Sequence, residues 1–353
     1  MAISRKNQEQ IAGDNSTQNQ VVGTQNNTYV TVTGMSIPDV TEFTTTVSKQ
    51  VTQQALSLCT QVAYDVALKR MQEFESVLLP RVEHIEKTLD NFADPKFQFM
   101  LRDANITAAK SSRKEDLTML SELLACHIEK GCDIKIDAGI NRAINIVNEV
   151  DIDSLCALTV VLCVLNILPN KGNIDDGLTV LNELYTKLLN QPLPEGDAWI
   201  DNLNVVGAIN ILSGKFHSVV ELLSSNLDGY LCVGIKSGTQ EHERALEILE
   251  QNKYSKQVLK PHDLLPGYLR LSIDDCTSLK EELKPILGLY SKDKSLMQTV
   301  RSNFMIKWNS YQALVIVENW FNGIPYFFKI NSVGKVLAQT YAKRCYPQFP
   351  DII

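Results

Sequence analysis

The sequence predicts a mainly α-helical protein: a short N-terminal β segment, a long coiled-coil-like helix, an α-helical core domain and a small mixed α/β C-terminal part. Three observations predict it. Apolar residues recur every three or four positions from Val40 to Phe92, the period of a helix with one buried stripe. Helix-length apolar patterns separated by short polar turns then run to about residue 228. Beyond that, short β-branched and aromatic runs alternate with helical patterns. At 353 residues the chain has room for two or three domains, and four regions separate by pattern: 1–34, 35–92, 93–228 and 229–353.

The first region contains "GDNSTQNQVVGTQNNTYVTVTG", which has no charge after Asp14 and is rich in Asn, Gln and Thr. Gly13–Val22 and Gly23–Val32 form two ten-residue units, each opening on Gly and closing on valine. The second ends "TYVTV", which is strand composition, and Gly and Asn suit the turns between short strands. Such a strip is too small to bury a core alone. Stacked on copies of itself, it can ladder its Asn and Gln side chains while Val21, Val22, Tyr29, Val30 and Val32 pack inside.

Ser36 and Pro38 open the second region as a cap and a first-turn residue. Apolar residues then fall at Val40, Phe43, Val47, Val51, Ala55, Leu58, Val62 and Val66. A second series runs Met71, Phe74, Leu78, Val82, Ile85, Leu89 and Phe92, at a spacing nearer the heptad. Some forty residues from Pro38 predict a stalk of roughly 60 Å, with Pro80 kinking it or starting a second helix. A lone stalk of that length leaves its stripe exposed, so partner helices are expected.

In the third region "KEDLTMLSELLACHIEKG" ends on Gly131, a natural C-cap, and "SLCALTVVLCVLNILP" reads as a buried helix, too short and too polar to span a membrane. The fourth region offers strands in "GYLCVGIK", "PGYLRLSI" and "NGIPYFFKI", and a helix in "TQEHERALEILEQN" opened by Thr239.

The chain advertises no chemistry. "CHIEKGC" brings Cys126, His127 and Cys132 together but lacks the fourth ligand of a structural zinc site. Cys156 and Cys163 share a face of the apolar helix and read as core. "GYLCVGIKS" has Gly-x₄-Gly but puts Ile235 where a phosphate loop needs Lys, and in "SVGKV" Lys335 precedes Val336 rather than Ser or Thr. The pairs Asp175–Asp176, Asp274–Asp275 and Glu281–Glu282 read as helix starts or solvated faces. His84, His127, His217, His242 and His262 are scattered. No catalytic residue, cofactor or metal is therefore expected, and the protein is read as not an enzyme.

The net charge is −7, yet residues 251–353 hold 14 Lys/Arg against 8 Asp/Glu. The acidic total argues against a general nucleic-acid binder, and the aromatics among those cations, such as Trp308, Trp320 and Phe328, sit beside Val, Ile and Leu as core residues do. "MAISRKNQEQ" has no apolar stretch of the secretory kind, and eight cysteines then imply reduced thiols in a cytoplasm.

Three resemblances add to this. "AGDNSTQNQ", the long helix and the "LLPRVE…FADPKFQFML" passage resemble an uncharacterised family of bacterial proteins of similar length. Gln10, Gly13, Asn15, Gln20, Gly23 and Asn26 resemble a loose copy of curlin-type β-arch repeats, and are similar to amyloid-like motifs attached to some bacterial immunity proteins. The passage "YFFKINSVGKVLAQTYAKR" resembles the last strand and helix of bacterial winged-helix domains over about twenty residues.

Together these imply a cytoplasmic bacterial protein that assembles with itself, as a homo-oligomer or filament, possessing a use in phage defence or stress response. An unknown protein partner is compatible with this; nucleic acid and membrane are not expected. The expected self-assembly interface is Gln10, Gly13, Asn15, Gln20, Val21, Val22, Gly23, Asn26, Tyr29, Val30, Val32, Val40, Phe43, Val47, Val51, Leu58 and Val62. The alternatives are a DNA-binding regulator acting through the winged-helix-like end, or an enzyme whose site is gathered from distant residues.

Overall fold

The computed structural model describes residues 37–55, 60–85, 88–130, 134–169, 171–273, 276 and 279–352. They form a mainly helical protein with small antiparallel sheets, as the sequence predicts. Two compact units meet in the chain at Val150 and Asp151. That boundary falls inside the region 93–228 expected to be one helical domain.

The N-terminal unit is a bundle of α1 (Ile37–Ala55), α2 (Gln61–Glu83), α3 (Thr88–Ala93), α4 (Pro95–Lys110), α5 (Lys114–Lys130) and α6 (Ile134–Ile146). Its core is the apolar series read from the sequence: Met71, Phe74, Leu78 and Val82 are at most 1 % exposed. Phe97, Leu101 and Ala104 of α4 and Leu120, Leu123 and Leu124 of α5 are buried with them. α4 starts where Asp94 accepts the amide of Lys96 and Pro95 fills the first turn.

The expected forty-residue stalk is corrected here. The helix stops at Ala55, and a second begins after Thr60, whose side chain caps it. Ser48 lies against Glu75 and Asn105, and Thr52 against Met71, so α1 and α2 run antiparallel. Phe43 meets Phe92 edge-on at 6.1 Å. The stripe therefore finds its partners within its own chain. Across so short a connection, intramolecular pairing has a far higher effective concentration than pairing with another molecule. Nor does Pro80 end the helix, which continues to Glu83. Proline removes one ladder bond, and here the buried Leu78 and Val82 flank it on the packed face.

The C-terminal unit is built around α7 (Ile152–Asn166), whose residues from Leu155 to Cys163 are at most 1 % exposed. The run is apolar on all sides because helices surround it. Asp151 caps it, accepting the Ser154 amide at 2.7 Å. α8 (Ile174–Leu188), α9 (Ala198–Val205), α10 (Val219–Asn226), the single turn α11 (Asp228–Leu231), α12 (Gln240–Gln251), the short α13 (Lys284–Leu287), α14 (Lys294–Trp308), α15 (Gln312–Asn322) and α16 (Ser332–Cys345) complete the helices of this unit.

Two small sheets accompany them. β1 (Ile209–Leu212) pairs antiparallel with β5 (Phe327–Ile330), Ile209 opposite Ile330. β2 (Ile235–Lys236), β4 (Tyr268–Leu271) and β3 (Leu259–Pro261) form the other, with β4 central. The expected strand in "GYLCVGIK" is corrected to a helical turn, a bend and two strand residues. Tyr230 forces the break: its hydroxyl donates to the carbonyl of Lys171, which holds the ring inward and fully buried.

Candidate functional site

The expected interface residues divide by position. Gln10, Gly13, Asn15, Gln20, Val21, Val22, Gly23, Asn26, Tyr29, Val30, Val32 and Leu58 lie outside the described residues. Val40, Val47 and Val51 are buried at 2 %, 8 % and 3 % exposure, so the structure removes them from any surface. Phe43 is half-buried against Phe92. Val62 stays 75 % exposed and Val66 44 %, one turn apart on α2. On a helix of 3.6 residues per turn they lie off the face that Ala67, Met71 and Phe74 bury.

A cavity of ≈ 270 Å³ opens beside Val66. One wall is a face of α2, where Val66, Lys69, Arg70 and Glu73 follow at helical spacing. The opposite wall is the turn from α4 to α5, with Ser111, Ser112, Arg113, Lys114 and Leu117. Four cations thus face one carboxylate. Arg70 is held by its own chain: Nη1 donates to the carbonyls of Ala109 and Lys110, each at 3.2 Å. Those are last-turn carbonyls of α4, the natural seat of a cation at a helix C-terminus.

Arg113 is fixed more deeply. It pairs with the buried Asp116 at 2.9 Å and donates to the carbonyls of Val147 and Val150 at 3.1 and 2.7 Å. Ser111 donates to Asp116 and accepts the Arg113 amide at 3.1 Å. Burial pushes the Asp116 carboxyl up despite Ser111 and Arg113, which act the other way. The two lysines are looser: Lys69 approaches Glu73 only at 4.0 Å, and Lys114 makes no ion pair among the described residues. No motif search points to "SSRK", because its partners Lys69 and Arg70 arrive from forty residues away.

Two further polar clusters are closed. His127 Nδ1 lies 2.8 Å from Asp137, which also holds Lys96, and the His127 ring stacks on Phe97. His127 and Asp137 are buried, and the group ties α4, α5 and α6 together. It accounts for the His127 of "CHIEKGC"; Cys132 lies outside the described residues. Among the described residues no three His, Cys, Asp or Glu side chains gather as a metal site.

In the C-terminal unit, Arg270 is fully buried. It donates to the carbonyls of Gly172, Gly229, Leu271 and Ile273 and pairs with Asp263 at 2.9 Å. Burial would raise the Asp263 carboxyl, but Arg270, Lys260 and His262 together hold it below its ordinary value. Burial also pushes the Cys156 thiol up to about 12, so this thiol is inert.

The winged-helix-like end has its strand and helix, β5 and α16. The strand's partner is β1, more than a hundred residues earlier. All residues from Val336 to Ala342 on α16 are buried. A recognition helix offers one face to a DNA groove, and between Val336 and Ala342 no such face is open. Trp308, Phe321 and Phe328 are buried as well, and Trp199 packs on Trp320 at 5.5 Å. These aromatics belong to the core, whereas Tyr326 is 42 % exposed.

No helix among the described residues is long and apolar enough to cross a membrane. Neither the curated proteins nor the solved structures hold a match to this chain. The model of one uncharacterised family, described only as ":-like", matches residues 34–352, and the chain belongs to that family.

Proposed function

We propose that the protein is a non-enzymatic, self-assembling scaffold of the cytoplasm, with residues 10–33 as the intermolecular β segment. The observation that carries this is the pair of ten-residue units from Gly13 to Val32, rich in Asn, Gln and Thr and closing on valines. A strip of that composition gains its pairing from copies of itself. The family match supports treating it as a separate device, since it begins at residue 34, where the composition changes. Because Val40, Val47 and Val51 are covered within the bundle, the helical part of the interface shrinks to Val62 and its neighbour Val66. The likeness to motifs of bacterial immunity proteins is the reason to look for the scaffold's use in antiphage defence.

The test is the mass of the full-length protein in solution, by light scattering and negative-stain imaging, beside a chain lacking residues 1–34. The full chain is expected as a ring, cage or filament and the shortened one as a smaller folded species. Val30→Asp with Val32→Asp in the full chain reproduces the shortened state. The same number of chains per particle in all three overturns the reading.

A further inference from the structure

We propose that the cavity between α2 and the α4–α5 turn binds a small organic phosphate, a phosphomonoester with a compact apolar body. The charge balance points to this ligand. Asp116 neutralises Arg113, and Glu73 lies near Lys69. Arg70 meets two carbonyls and Lys114 makes no ion pair among the described residues. Two cations, Arg70 and Lys114, therefore remain without a carboxylate at the cavity, and a phosphomonoester carries about −1.5 to −2 at neutral pH.

The donors are set for it. The Arg70 guanidinium is pinned by the end of α4, so little side-chain freedom is lost on binding. Ser112 adds an exposed residue with a hydroxyl to the lining, and Lys69 and Lys114 line it from α2 and from the first turn of α5. Val66 and Leu117 supply an apolar surface beside the cations, which inorganic phosphate has no means to use. At ≈ 270 Å³ the cavity is at the lower end of small-molecule sites, so the ester's body is small. The cavity's lining shares only Val66 with the proposed assembly interface, so loss of phosphate binding and loss of assembly are read in separate measurements.

The experiment is calorimetric titration of the full-length protein at low ionic strength with phenyl phosphate, inorganic phosphate and benzoate. The expected result is one phenyl phosphate per chain, bound about tenfold more tightly than either of the others. Lys69→Ala and Lys114→Ala each weaken it about tenfold, the contribution of one charged hydrogen bond, with unchanged circular dichroism melts. Lys292→Ala, an exposed lysine of the C-terminal unit, leaves it unchanged. Equal affinity for all three ligands overturns the proposal, as does an equal loss in Lys292→Ala or no binding at millimolar phenyl phosphate.

Discussion

Arg270 shows how much one side chain decides. A guanidinium with no exposure is tolerated because four backbone carbonyls and Asp263 surround it, and the Tyr230 ring lies 5.4 Å away. Removing it takes the shared donor from four carbonyls and leaves Asp263 with only Lys260, at 3.8 Å, so Arg270→Ala is expected to cost about 3–5 kcal/mol in urea unfolding. Trp199, Trp308 and Trp320 all lie in this unit, so tryptophan fluorescence follows the transition. His262 sits beside this cluster, its Nε2 2.8 Å from the carbonyl of Cys232. Burial, with Arg270 and Lys260, holds its ionisation below the ordinary value, against the Cys232 carbonyl and Asp263. The unfolded chain then takes up the proton first, so the neutral ring's contribution is present above about pH 6.5 and is lost as pH falls through the folded value. The urea midpoint is expected to drop between about pH 7.5 and about pH 5.5; in His262→Asn that drop shrinks, and an unchanged slope would count against this account. Nothing around Arg270 in the sequence, "PGYLRLSI", marks it as buried; only the four carbonyls do.

At the scale of elements, apolar periodicity predicted most of the buried residues of α1 and α2, though not the exposure of Val62 and Val66, nor what covers the rest. Met71, Phe74, Leu78 and Val82 form one face of α2 in both readings, and Phe74→Ala is expected to destabilise the N-terminal unit by about 3–5 kcal/mol, read from its helical circular dichroism. The same periodicity made α1 and α2 one stalk, because a stripe seen in isolation does not say whether its partner is another molecule or the next helix. The strand and helix at the C-terminus were legible from Phe327 to Arg344, whereas the pairing of β5 with β1 was not. That pairing depends on a close approach: a Cβ on Gly334 would lie 2.1 Å from the carbonyl of Ala208. Gly334→Ala must therefore push α16 off β1, and a loss of more than about 1 kcal/mol is expected by the same fluorescence measurement. A neutral Gly334→Ala would mean the backbone there gives way easily.

For the whole molecule, the two compact units each close a core of their own. The candidate site was not legible at all. Lys69 and Arg70 read as the solvated side of an amphipathic helix, and "SSRK" as a turn, until the fold set them across one cavity. Deleting residues 1–34 is expected to leave the helical signal per molecule nearly unchanged, because the described bundle, from Ile37 on, covers Val40, Val47 and Val51; a collapse of that signal would show the N-terminal segment to be part of the bundle. By itself the sequence determined the helical class and the all-round burial of Leu155–Cys163, since each follows from local composition and period. Only the tertiary structure decided that the stripe of α1 is satisfied at home, that the unit boundary falls at Val150, and that cations forty residues apart meet, because each depends on which distant surfaces the chain brings together.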